Sequence, residues 1–278
     1  MPKFLEPRPS FKNPPVIEVV LGVQFEPLQR LEIPHYGLFW SRVRDRFPNA
    51  ETKSPLNANV ESFGAVSKQE MSIQLLAEFP SPRLWFSNES GTELIQVQQD
   101  RFIFNWRQRD DSPYPRYENV RERFLELSQQ FGEFLSSEGI GKIIPNQCEV
   151  TYVNHILMGG PFEDPGMLEQ VFSPWSGKTS DGFLPPPEDA SFRTSYRLLE
   201  DESKEPFGRL HATIEPRVRA VDQERLVRLT LTARGLPRPA DMDGVLDFFD
   251  LGREYVVRGF ASLTTPAMHK EWRREDAQ

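Results

Sequence analysis

The chain reads as an α+β protein made of two similar units, each a strand, a helix, a set of antiparallel strands and a long helix that backs the sheet. Three observations carry this reading. Runs rich in β-branched residues open both halves, at Val16 to Phe25 and at Glu149 to Ile156. Short segments that alternate polar and apolar residues follow each run and are bounded by turn residues. An amphipathic stretch closes each half, at about 117–136 and about 242–263, with apolar residues at three-and-four spacing. The expected division is 1–143 for the first unit and 144–278 for the second, which ends in a tail helix.

In the first half, Pro34 suits a helix start, and Tyr36, Phe39, Trp40, Val43 and Phe47 recur at near-helical spacing, which predicts a helix over about 34–47. Residues 51–59 are polar and interrupted by proline, the composition of a loop. Strands are expected at 72–79, 83–87, 93–98 and 101–107, an antiparallel meander whose Gln99-Asp100 turn lacks glycine. Tyr117, Val120, Phe124, Leu127, Phe131 and Phe134 then form one helix face made to pack on a sheet, and Gly139 and Gly141 supply a stop. In the second half, residues 164–172 read as a short helix with Asp164 as N-cap and Pro165 at the first position. Residues 173–190, with Pro185 to Pro187, are too polar for core and read as a surface loop. Strands follow at 192–199, 209–217 and 225–233, and Val245, Phe248, Phe249, Val256, Phe260 and Leu263 mark the apolar side of the last long helix. Thr265-Pro266 starts the tail helix.

Composition restricts the function classes. With 278 residues and 38% hydrophobic content, among them 21 Phe, the chain can bury one large core or two joined ones. A net charge of -8 opposes long-range attraction to phosphates or an anionic membrane, although a local basic patch can survive on an acidic protein. No apolar run approaches the ~20 residues that span a bilayer. One cysteine, Cys148, and no leader pattern at the N-terminus make a reducing cytoplasm the expected address.

The residues that usually carry chemistry are dispersed. His35, His155, His211 and His269 stand singly, and Cys148 has no partner at zinc-ligand spacing, so neither a metal nor a cofactor is expected. There is no Gly-x-Ser-x-Gly elbow, Walker A loop or dinucleotide fingerprint; Gly159-Gly160 and Asp110-Asp111 have the composition of turns. Surfaces say more. On the second sheet, Arg193, Arg197, Arg209, His211, Arg217 and Arg228 fall on the face opposite the apolar one, together with Ser195 and Glu215. Guanidinium groups on neighbouring strands can hold carboxylate or phosphate, and a solvated sheet with Arg–Glu cross-strand pairs is the plainer alternative. Phe102, Phe104 and Trp106 share one strand face and suit either base stacking or core. In the tail, Met268 and Trp272 lie four residues apart beside Lys270, Arg273 and Arg274, a pattern that can dock a helix in an acidic partner's groove or clamp the tail onto its own sheet.

Several short segments resemble a sporadically distributed bacterial family of uncharacterised function: Asn13-Pro14-Pro15-Val16-Ile17-Glu18-Val19-Val20, Gly37 to Phe39, Phe47-Pro48, Tyr152 to Asn154, and Phe260 to Thr265 with Trp272. The resemblance runs through nearly the whole chain and implies a bacterial cytoplasmic protein suited to an accessory or mobile-locus role, with no catalytic residue, substrate or cofactor. The element order is also similar to TATA-binding-protein-like and helix-grip arrangements, a likeness that transfers no function. The expected function is that of a non-enzymatic binding protein, an accessory subunit that engages another protein. Recognition of nucleic acid or nucleotide by the arginine-bearing face and an enzyme assembled from dispersed residues remain the alternatives.

Overall fold

The computed structural model describes residues 4, 6–63, 81–110, 112–164, 166–185, 187–201, 203–219 and 222–276. Their order is β1 (Pro9–Phe11), β2 (Val16–Phe25), α1 (Ile33–Val43), β3 (Asn49–Lys53), β4 (Arg83–Ser87), β5 (Glu93–Gln98), β6 (Arg101–Arg107), α2 (Tyr117–Ser137), β7 (Pro145–Leu157), a 3-10 turn (Leu168–Gln170), β8 (Phe192–Leu199), β9 (Pro206–Val218), β10 (Arg225–Gly235), α3 (Met242–Leu263), α4 (Pro266–Glu271) and β11 (Arg274–Asp276). Among the described residues this gives eleven strands in two antiparallel sheets and four helices. The chain divides into two compact units: Val19–Glu149 with Gly235–Phe249, and Met1–Glu18 with Val150–Arg234 and Asp250–Gln278.

The unit centred on Val19–Glu149 places its strands in the order β3-β4-β5-β6-β2-β7. The registers follow the alternation: Phe86 opposes Ile95, and Ile95 opposes Phe104. Phe102 meets α2 through Phe124, at 5.8 Å between ring centroids, and through Phe131 at 5.3 Å. Phe102, Phe104 and Trp106 are therefore core residues. α2 ends in a paired backbone closure, Ile140 N donating to Leu135 O at 2.9 Å and Gly139 N to Ser136 O at 3.2 Å. That closure needs the positive φ of 62° that Gly139 adopts without Cβ strain. α1 begins on a local cap, in which His35 Nδ1 accepts from Glu32 N at 3.1 Å while His35 N donates to the Glu32 backbone carbonyl at 2.9 Å. His35 is thus a helix cap.

Two expectations for this unit change. Residues 49–53, in the stretch expected to be loop from residue 51 onward, form β3, paired residue by residue with β4. Among the described residues β3 ends the strand order; four of its five side chains are exposed, and its sequence lacks the apolar alternation of an inner strand. The strand expected at 72–79 lies outside the described residues. Residues 54–63 run across the sheet outside any helix or strand, their backbone held by side chains of the sheet. Gln98 accepts from Leu56 N at 2.8 Å and donates to Leu56 O at 2.9 Å. Gln24 accepts from Asn59 N at 3.1 Å, Gln147 from Glu61 N at 2.9 Å, and Arg101 donates to Asn57 O at 2.9 Å.

The other unit orders its strands β7-β10-β9-β8 and adds the small β1–β11 sheet. α3 lies close on these strands. A Cβ at Gly259 would come within 2.6 Å of Leu210 Cδ2, and one at Gly252 within 3.0 Å of Val150 Cγ2. Ala212, Ile214, Leu229, Leu231 and Ala233 are fully buried alongside Leu210. The helix expected over 164–172 shortens to the single 3-10 turn. Asp164 does cap, its Oδ1 accepting from Gly166 N at 2.7 Å, but it closes only a turn; Pro165 lies outside the described residues. Residues 173–185 are loop, as the composition predicts.

Candidate functional site: an arginine-bearing sheet face and its edge strand

Alternation along β8, β9 and β10 puts Arg193, Arg197, Arg209, His211, Arg217 and Arg228 on one face, since the intervening Leu210, Ala212 and Ile214 are buried. The β8–β9 register sets Arg197 opposite Arg209, Ser195 opposite His211 and Arg193 opposite Thr213. The arginines are not equivalent. Glu215 accepts from Arg228 at 2.6 Å and from Arg217 at 2.7 Å, which makes these two a cross-strand ion network. The hydrogen bond from Arg228, followed by the charge of Arg217, holds the Glu215 carboxyl below its ordinary range. Arg193 and Arg197 are exposed on β8, and among the described residues neither shows an ion pair.

The histidines hold places in the fold. Ser195 Oγ lies 3.0 Å from His211 Nδ1 on the exposed sheet surface. A serine–histidine bond is half of a hydrolytic arrangement, which also needs an oriented base and oxyanion donors. His155 on β7 titrates below its usual value because it is partly buried and because Arg228 and Arg219 repel a second positive charge. Among the described residues no group of three His, Cys, Asp or Glu side chains is placed to hold a metal ion. Burial pushes the Cys148 thiol far above its ordinary value, which keeps it protonated and unreactive.

β8 stands at the end of the strand order, paired with β9 on one side. Among the described residues its other edge is unpaired and presents backbone N–H and C=O groups, with Tyr196 and Leu199 among its exposed side chains. The loop that leads into it carries Phe183 and Leu184 at 85% and 61% exposure. The neighbouring Trp175 stacks on Phe192 at the start of β8, with ring planes 8° apart and centroids 5.8 Å apart, and anchors the loop to the strand.

The tail residues singled out for docking lie inside. Met268 and Trp272 retain 2% and 7% exposure. Trp272 packs on Phe260 at 5.0 Å and on Phe11 at 6.3 Å, and β11 pairs with β1 just beyond it. The four-residue spacing therefore serves an internal clamp, and a docking surface made of these two side chains would require the tail to leave the core. Two features escaped the sequence reading. One is a cavity of about 540 Å³ beside α2, lined by Phe104, Trp106, Glu93, Arg123 and Glu126 among others. Its charges answer one another, because Arg123 bonds Glu126 at 2.7 Å and Glu93 at 3.2 Å while Arg46 bonds Glu126 at 2.6 Å. Burial alone would lower the Arg123 value, and the pairing with Glu126 and Glu93 outweighs it. The other is a cluster of cations around Trp85, with Lys53 Nζ at 4.7 Å and the Arg83 and Arg107 guanidinium carbons at 5.4 and 5.7 Å from its ring centroid. Three strands supply those residues, so no local motif announces them.

No protein-family model matches the chain, and no curated protein matches it. Among the described residues, no helix is long and apolar enough to cross a membrane.

Proposed function

We propose that the chain is a non-enzymatic binding protein, an accessory subunit that engages another protein along β8 and the loop before it. The observation that carries this reading is the juxtaposition at β8. β8 is an edge strand with one ladder side open among the described residues, the loop that leads into it exposes Phe183 and Leu184, and the strand carries Arg193 and Arg197 outward. An extended partner segment can add to such an edge through main-chain hydrogen bonds, with side-chain pockets and charges setting the choice of partner. The two arginines favour an acidic segment. A cytoplasmic setting accords with the lone, deeply buried cysteine. The experiment is affinity purification from the native host followed by a binding assay with the partner so identified. Charge reversal at Arg193 and Arg197, or Phe183→Ser with Leu184→Ser, should weaken binding by at least about tenfold. Unchanged affinity in both double variants would place the contact elsewhere.

A second reading rests on the same two arginines, which together with Arg209 give β8 and β9 a basic stripe on an acidic chain. On that reading the face holds the phosphates of nucleic acid or nucleotide. Affinity for a single-stranded oligonucleotide would then fall linearly with the logarithm of salt concentration, and replacing Arg193 would shallow the slope by about one. The element order also supports a duplication: β2, α1, strands and α2 are followed by β7, a helical turn, strands and α3. Superposing residues 16–136 on 149–263 tests it, and a pairing of α2 with any element other than α3 would contradict it.

A further inference from the structure

We infer that the cluster around Trp85 is a binding site for an oxyanion, of the class of a phosphate group, on the sheet formed by β3 to β6. The three cations converge from separate strands: Lys53 from β3, Arg83 from β4 and Arg107 from β6. Lys53 and Arg83 sit directly opposite each other in the β3–β4 register, and the Arg83 guanidinium titrates below its usual value through burial first and the nearby charge of Arg101 second. Glu51 occupies one of the three donor positions of Lys53, at 2.6 Å, and leaves two. An oxyanion between Lys53 and Arg83 would take up those donors.

The arrangement is held ready. Arg83 donates from Nε to Ser54 O at 3.2 Å and from Nη1 to Gln96 Oε1 at 2.8 Å, so the guanidinium plane is set while Nη2 remains to donate. The same Gln96 oxygen accepts from Trp85 Nε1 at 3.0 Å, and Gln96 Nε2 donates to Asn105 Oδ1 at 2.7 Å. This chain fixes both the ring and the arginine before any ligand arrives, which lowers the entropy cost of binding. The ring itself decides between ligand types. Three cations already lie 4.7 to 5.7 Å from its centroid, so a base stacked over them would compete with cation–ring contacts, whereas an anion adds to them.

The test is a titration of the full chain with inorganic phosphate at constant ionic strength, read by calorimetry and tryptophan fluorescence. Parallel arms use a nucleoside monophosphate and a single-stranded oligonucleotide. Saturable phosphate binding is expected, and Lys53→Gln and Arg83→Gln should each weaken it by about tenfold or more, as loss of a charge-assisted bond does. Tighter binding in the nucleotide or oligonucleotide arm, lost in the same variants, would name the source of the phosphate. Lys53 lies on an edge strand half open to water, so Lys53→Gln decides the matter if Arg83→Gln does not fold. No saturable binding in any arm, or binding that Lys53→Gln leaves unchanged, overturns the site.

Discussion

At the scale of single residues, the aromatic core gives the sharpest expectations. Phe124 is fully buried, 5.8 Å from Phe102 and 4.8 Å from Phe249, and Phe260 is buried against Phe11 and Trp272. Phe124→Ala or Phe260→Ala should each cost about 3–5 kcal/mol in denaturant unfolding; a loss under about 1 kcal/mol would mean the site collapses around the missing ring. His269 makes a second test. Its Nε2 lies 2.9 Å from Thr264 Oγ1 and its Nδ1 3.3 Å from Arg274 Nη1, and burial, then the charge of Arg274, holds it below the usual 6.5. The folded state thus prefers the neutral ring. Its contribution to stability is whole above about pH 6.5 and is lost as pH falls through the depressed folded value, because unfolding takes up the proton. His155 acts in the same direction. Melting temperature should fall on acidification through this window, with a shallower fall in His269→Gln; an identical pH profile in that variant would remove His269 from the account. None of these partners is legible in the sequence, where His269 and Arg274 look like surface residues of a basic tail.

At the scale of elements, legibility follows how much of the signal is local. β4, β5 and β6 stand where alternation and turn residues put them, and α2 stands where three-and-four spacing puts it. β3 was hidden because an edge strand with exposed side chains has no apolar period to read. The helix expected at 164–172 became one 3-10 turn because a capping aspartate and an apolar residue or two suit a turn as well as a helix. The tail shows the same ambiguity in reverse. Its Met–Trp spacing fits a docking helix or an inward clamp, and only the positions of Phe11 and Phe260 decide for the clamp. Deleting residues 267–278 should lower the melting temperature by several degrees, since it strips Met268 and Trp272 from the core and β11 from β1. An unchanged melting temperature would show that the tail adds nothing to stability. The grip of Gln98, Gln24 and Gln147 on residues 54–63 was beyond reading, because the three glutamines come from three strands and bind backbone.

At the scale of the molecule, the arginines of β8 to β10 include a spent pair and an open pair, and the central claim rests on the open one. Arg217 and Arg228 serve Glu215 within the sheet, whereas Arg193 and Arg197 lie on a strand whose outer edge is unpaired among the described residues and whose preceding loop exposes Phe183. The face pattern was readable from alternation; the division needed the cross-strand register, which brings Glu215 to Arg228 and leaves β8 at the end of the order. The most direct measurement is photo-crosslinking in the native host, with the reactive group placed at Tyr196 on β8 and, as a control, at Leu38 on the exposed side of α1. The β8 position should give one discrete adduct with a single protein, absent from the Leu38 position and lost when Arg193 and Arg197 are reversed in charge. No adduct at Tyr196, or the same adducts from both positions, would contradict a binding role for this edge.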